Sequence, residues 1–235
     1  MELLPNFDAR YEPKSLDDIV FTQGKQRNHL REDVSGRSRM PDSITNGILL
    51  VGNTGSGKST LAKHLPDWIE KARGGGEAYP TYHQITSSNS GVALLEQIEQ
   101  QIIRIPYFQN FHYIVLDEVD LLSTSAMDKL KSVMNIEYKS CIWIMTTNDY
   151  GRISPPVVNR CHTYFLNHAP SIEWLPLFQR ILRDHGITDI NEGEMLERID
   201  MCNGSGRSVI DAAKRIILDR EEEFCTSINL ATYVV

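Results

Sequence analysis

Three short apolar runs stand out along the chain, at residues 47–51, 113–116 and 141–146, each bounded by turn or charged positions. Runs of that length without strict alternation predict strands buried on both faces of a parallel sheet. Residues 82–85 form a weaker fourth candidate. Helical segments separate these runs, so the order predicts an α/β fold built on a doubly wound parallel sheet. From Pro170 the pattern changes. Segments 171–184, 192–201 and 205–223 carry apolar residues at helical spacing with no strand between them, and Val209, Ala212, Ala213, Ile216 and Ile217 share one face. The pattern predicts an α/β domain over residues 1–169, a small all-helical domain over 170–225, and a short tail over 226–235. The Gly-rich stretch 73–76 reads as a flexible surface loop.

Composition narrows the function classes. The chain has 235 residues, 41% of them hydrophobic, enough for one sizeable core plus a small second one. Its net charge of −7, from 24 basic and 31 acidic residues, argues against coating nucleic acid by bulk electrostatics. The densest basic stretch, Lys25, Arg27, Arg31, Arg37 and Arg39, is interrupted by Glu32 and Asp33 and reads as a solvated helix face. Cys141, Cys161, Cys202 and Cys225 lie far apart, with no CxxC pair, so neither a disulfide framework nor a zinc site is predicted. The N-terminal residues are too polar for a signal peptide, and no stretch approaches the roughly 18 apolar residues of a membrane span. A reduced, cytoplasmic setting is the expectation, or a host's cytoplasm or nucleoid for a viral chain.

The strongest chemical signal is Gly52-Asn53-Thr54-Gly55-Ser56-Gly57-Lys58-Ser59, which fits G-x-x-x-x-G-K-[ST] at every defined position, with Thr60 next to it. A predicted strand precedes it and a helix-like segment follows. The glycines let successive N–H groups point at phosphate oxygens, and the helix start adds its positive dipole end. Lys58 can reach the β and γ phosphates of ATP, and the Ser59 hydroxyl can coordinate Mg²⁺. Downstream, Ile114-Val115-Leu116-Asp117-Glu118 is a hydrophobic strand ending in two acids. Asp117 is placed to hold Mg²⁺ through water, and Glu118 to polarise the attacking water as general base. Asp120 reads as a helix cap or a solvated carboxylate. Thr147-Asn148-Asp149 does not make the N-K-x-D of GTPases, and the Asp117-Glu118 pair disfavours a small-molecule kinase.

Beyond these two motifs the chain resembles the AAA+ superfamily over nearly its whole length, in particular clamp-loader ATPases of the replication factor C small-subunit type. Ile144-Met145-Thr146-Thr147-Asn148 is similar to the sensor 1 strand, which implies that Asn148 orients the hydrolytic water. Pro155-Pro156-Val157-Val158-Asn159-Arg160-Cys161 resembles the family's Ser-Arg-Cys segment, with Asn159 for Ser. The resemblance implies that Arg160 is an arginine finger acting on a neighbouring subunit. Asn203-Gly204-Ser205-Gly206-Arg207 is similar to the sensor 2 start, which implies that Arg207 touches the γ-phosphate. Arg10-Tyr11-Glu12-Pro13-Lys14 resembles the family's Lys-Tyr-Arg-Pro-Lys opening and makes Tyr11 and Val20 the adenine-pocket candidates; an arm that simply covers the core is the alternative.

Two departures qualify the resemblance. Where the family carries basic residues that face the DNA backbone, this chain holds Ser90 and Glu96. Clamp loaders also carry a further helical collar domain, whereas here only the apolar residues 226–235 follow the expected lid; these could add a strand to a partner or pack on the lid. The implied function is an ATP-hydrolysing subunit of a ring-shaped homo- or hetero-oligomer acting on DNA with a replication protein such as a sliding clamp. The alternative is a nucleotide-gated assembly or remodelling protein that loads no clamp.

Overall fold

The computed structural model of the chain describes residues 7–136, 139–167 and 169–232, with 223–232 described by backbone alone. Five parallel strands form one sheet: β1 (Gly47–Val51), β2 (Thr81–Gln84), β3 (His112–Asp117), β4 (Cys141–Thr147) and β5 (Cys161–Phe165), in the order β2-β3-β4-β1-β5. The helices are α1 (Phe7–Arg10), α2 (Gly24–Ser35), α3 (Lys58–Ala72), α4 (Val92–Ile102), α5 (Thr124–Val133), α6 (Pro155–Val158), α7 (Ser171–Asp184), α8 (Glu192–Asp200) and α9 (Gly206–Thr232).

The three apolar runs and the weaker fourth become β1, β3, β4 and β2 within one residue at each end. β5 was not visible in the hydrophobic pattern. Its sequence Cys-His-Thr-Tyr-Phe buries only Tyr164 fully, as suits an edge strand with one face open.

Period-two alternation sorts the central strands onto two cores. Leu49, Ile114, Leu116, Trp143 and Met145 face α4 and α5, which contribute Leu95, Ile98, Ala126 and Leu130. Ile48, Leu50, Val115, Ile142 and Ile144 face α2 and α3, which contribute Leu30, Leu61, Leu65 and Ile69. Both faces are therefore covered, which is why these strands read as continuous apolar runs. The basic positions of α2 are used locally: Arg31 pairs with Asp17, and Arg27 donates to the Ile19 carbonyl at 3.0 Å. The start of the Gly-rich stretch is anchored, contrary to the flexible-loop expectation. Arg73 donates to the carbonyls of Asp33 and Val34, which at the end of α2 lack donors within the helix, and to that of Met40 beyond it.

The chain divides into two compact units, one of residues 13–167 and one combining the described residues up to Glu12 with those from Ala169 onward. The second unit is helical. α7 buries Trp174, Phe178, Ile181 and Leu182 against Met195 and Ile199 of α8 and Val209, Ala213 and Ile217 of α9. Residues 7–12 belong here rather than with the α/β unit because the Tyr11 hydroxyl donates to Asp184 at 3.2 Å and Phe7 packs on Tyr11 and His185. Of the two courses open to the residues after 225, a partner strand or packing on the lid, the described backbone is not a strand. α9 continues as helix to Thr232, and residues 233–235 lie outside the described residues.

Candidate nucleotide-binding site

β1 ends at Val51 and the chain turns through residues 52–57 into α3. Gly52 passes under the Leu166 carbonyl, where a Cβ would lie 2.3 Å from the oxygen, so no larger residue fits. Gly57 adopts φ +91° immediately before α3, a conformation that favours glycine. It offers no side chain to cap the helix. The first N–H groups of α3, which like those of any helix have no intrahelical acceptor, therefore receive no cap from Gly57. Ser56 Oγ is buried with no partner among the described residues. This concentration of unpaired donors at a positive helix end fits the phosphate groups of a nucleotide.

Lys58 opens α3, is 6% exposed, and donates one of its three N–H bonds to the Asn53 carbonyl at 2.8 Å. Burial lowers its pKa, against the opposing pull of Asp117, Asp120 and Glu118. A phosphate beside it would add a further negative partner.

Asp117, the last residue of β3, is buried among hydroxyls. Its Oδ1 accepts from Ser59 Oγ at 2.9 Å and from Thr146 Oγ1 at 2.5 Å; its Oδ2 accepts from the Tyr82 hydroxyl at 2.5 Å. Burial and the bond to Asp117 push the Tyr82 phenol well above its usual range, so it stays a donor. Ser59 and Asp117 thus meet as expected of a shared metal site, since a hydroxyl can present a lone pair to Mg²⁺ while its O–H remains on the carboxylate. The donor set is all oxygen and fits a hard divalent cation.

Glu118 holds φ +62°, ψ +49°, an uncommon conformation for a non-glycine residue that costs on the order of 1–3 kcal/mol. Its N–H donates at 2.9 Å to Thr146 Oγ1, the same hydroxyl that donates to Asp117. Thr146, wholly buried on β4, therefore locks the turn that carries both acids. Asn148, exposed just past β4, donates its backbone N–H to Asp120 Oδ1 at 3.2 Å. Asp120 is 7% exposed, so the solvated-carboxylate reading is corrected: it ties the end of β4 to the turn after β3.

Arg160 sits elsewhere. It precedes β5, and its carbonyl accepts from the N–H groups of Asn46 and Gly47 at the start of β1. The phosphate loop follows the end of β1. With five residues in β1 at about 3.3 Å each, Arg160 lies roughly 16 Å along the strands from that loop, at the opposite edge of the sheet. Its guanidinium donates through Nε and Nη2 to Asn135 Oδ1, at 2.9 and 2.7 Å, and through Nη1 to the Pro156 carbonyl at 2.8 Å. Two of its five N–H bonds remain.

In the helical unit, Arg207 is exposed in the first turn of α9 with no hydrogen-bond or ion-pair partner among the described residues. Gly206 before it is required by packing, since a Cβ there would lie 2.5 Å from the Trp174 ring. Tyr11 is only 4% exposed, its ring approached by the guanidinium groups of Arg10 and Arg180, which leaves little face for a base. Val20 is half-buried in the α/β unit.

The pattern of the family described as "ATPase family associated with various cellular activities (AAA)" matches residues 48–168, more than half of the chain. The chain belongs to the AAA family of ATPases. Among curated relatives of this AAA ATPase, replication factor C small subunit 1 of Pyrobaculum arsenaticum is 24% identical over 219 residues, covering 86% of the chain and 63% of the relative. The replication factor C small subunit of Staphylothermus marinus is 25% identical over 242 residues, covering 94% and 69%. The AAA ATPase thus spans less than two thirds of the first relative's length and resembles replication factor C small subunits across most of its own. Among solved structures, the RuvB Holliday junction branch migration motor of Thermotoga maritima superposes with a TM-score of 0.65 at 18% identity, covering 88% of this chain and 65% of that one. That likeness concerns the fold. No helix of the described residues is long and apolar enough to cross a membrane.

Three side chains of this AAA ATPase escaped the sequence reading. Thr146 was visible as part of the Thr-Thr-Asn run but carried no predicted contact. Tyr82 and Asn135 carried no signal, since each acts on a residue distant in the chain, Asp117 and Arg160 respectively.

Proposed function

We propose that the chain is a Mg²⁺-dependent ATP-hydrolysing subunit of an AAA+ ring that works in the manner of a clamp loader in DNA replication, within the cytoplasm or that of a host. The observation that carries the oligomeric part is the separation of Arg160 from this chain's own phosphate loop by the length of β1. A finger on the starting edge of the sheet can serve only a site presented by another subunit. In this reading the N–H groups of residues 52–60 and Lys58 hold the phosphates, and Ser59 with Asp117 holds the cation. Bound Mg²⁺ would supply charge neutralisation at the β and γ phosphates. Glu118 takes the proton of the attacking water, Asn148 orients that water, and Arg160 of a neighbour neutralises the transferred phosphoryl group. Arg207 reads the γ-phosphate and makes the helical unit, residues 170–225 with its N-terminal arm, a lid. Val20 lines the adenine pocket, and Tyr11 supports the lid rather than stacking on the base.

A second reading, nucleotide-gated assembly without clamp loading, is favoured by one feature: Ser90 and an exposed Glu96 replace the family's basic DNA-facing positions. The rate of ATP hydrolysis, measured at several protein concentrations with and without primer–template DNA, separates the two. A rate rising steeply with concentration and again with DNA supports the replication reading. Concentration dependence with no DNA response moves the assignment to assembly, and a rate per subunit independent of concentration overturns the trans finger.

A further inference from the structure

We propose that Tyr82 is a positioning residue for Asp117, fixing the carboxylate in the orientation in which it supports a divalent cation at the nucleotide phosphates. The inference rests on Ser59 and Asp117 serving a metal-dependent nucleotide site, as proposed above. Tyr82 lies on β2, the strand at the edge of the sheet, opposite Val115 of β3 and two residues short of the Gln84–Asp117 pair. A phenol is long enough to run along the strand direction to the next residue on its own face, and here it ends 2.5 Å from Asp117 Oδ2. That is the short range of a charge-assisted O–H···O⁻ bond.

The division of donors gives Tyr82 its role. Ser59 and Thr146 both hold Oδ1. The χ2 torsion of aspartate is broad, so bonds to Oδ1 alone restrain the carboxylate plane through one oxygen and leave it some residual torsional freedom. A donor on Oδ2, arriving from the opposite strand, removes that freedom. Oδ1 then has both lone pairs engaged, and Oδ2 keeps one for a metal-bound water. The Tyr82 ring packs against the core that includes Val115 and has Lys63 Nζ 5.6 Å from its centroid, so Tyr82→Phe deletes the O–H and keeps these ring contacts.

The test is a comparison of wild type, Tyr82→Phe and Asp117→Asn in the full chain, using a fluorescent ATP analogue titrated in EDTA and then across a Mg²⁺ series, with Mn²⁺ binding read by electron paramagnetic resonance. For Tyr82→Phe the expected result is unchanged nucleotide affinity and melting temperature in EDTA, and a half-saturating Mg²⁺ or Mn²⁺ concentration raised about tenfold. Unchanged metal dependence overturns the proposal. A variant that melts markedly lower, or loses nucleotide equally in EDTA, places Tyr82 in the fold and overturns it as well. Asp117→Asn separates the two levels: if it retains normal metal dependence, the metal-site reading itself fails, whereas its loss alongside a normal Tyr82→Phe removes only the role of Tyr82.

Discussion

At the edge where the parallel strands end, Asp117 is held by hydroxyls from α3, β4 and β2, and Thr146 locks the Glu118 backbone with the same oxygen. At the edge where the strands begin, Arg160 is half-exposed and rests on Asn135 and the Pro156 carbonyl, with no acidic partner among the described residues. The first edge is complete within one chain: each acid's position is fixed by neighbours on other strands before any ligand arrives. The second presents a cation pre-aimed but uncompensated. Electrostatic preorganisation of this kind stabilises developing charge only where the charge appears, and at the second edge this chain supplies none. The contrast therefore separates what this chain fixes by itself, the two acids, from what it leaves exposed, the Arg160 guanidinium.

The largest expected effect breaks the contrast at its exposed end. Arg160→Ala should lower turnover by about 10³-fold or more while sparing ATP binding, as checked by steady-state hydrolysis and nucleotide titration. Mixing Arg160→Ala with Lys58→Ala subunits sharpens this: hybrid interfaces pair an intact loop with an intact finger, so activity should partly return. No recovery would place Arg160 outside the trans role. At the complete edge, Glu118→Gln should lower hydrolysis by about 10²–10⁴-fold in single-turnover assays, with ATP still bound; equal loss of binding would make Glu118 a structural residue.

Asn135→Ala tests how much the pre-aiming of Arg160 matters. Freeing two guanidinium bonds should cost a few-fold in kcat, of the order of 1 kcal/mol for a hydrogen bond, without changing ATP affinity. A rise in kcat would instead mark Asn135 as a restraint on the finger. The smallest effect concerns the strand that follows Arg160. His162 Nδ1 lies 2.8 Å from the buried Asp33 carboxylate, which raises the histidine pKa through that hydrogen bond. Because the folded value exceeds the unfolded one, the contribution is fully present below about pH 6.5 and is lost as pH rises through the raised value. His162→Gln should therefore narrow its stability gap from wild type between acidic and alkaline pH. With His162 40% exposed, the gap should stay under about 1 kcal/mol by urea denaturation.

Much of this was legible in the sequence because it is written locally. The phosphate loop is a contiguous run whose backbone does the work, so Gly52, Gly57, Lys58 and Ser59 announce themselves by spacing. β1, β3 and β4 announce themselves by burial on both faces. β5 does not, since an edge strand needs few apolar residues, and the helical course of 226–232 was hidden in an apolar stretch equally compatible with a strand. Asp120 looked solvated because nothing local shows that Asn148 folds over it.

What the sequence alone determined is the chemistry carried by consecutive residues: the nucleotide loop, the paired acids and the membership they imply. Only the tertiary structure decided that Tyr82, Thr146 and Ser59 converge on one carboxylate, that Tyr11 belongs with the helical unit, and that Arg160 and the phosphate loop occupy opposite edges of one sheet. The reason is physical. A motif's spacing fixes backbone geometry over a few residues, whereas a side-chain contact between strands depends on their order and register, which only the packed sheet sets.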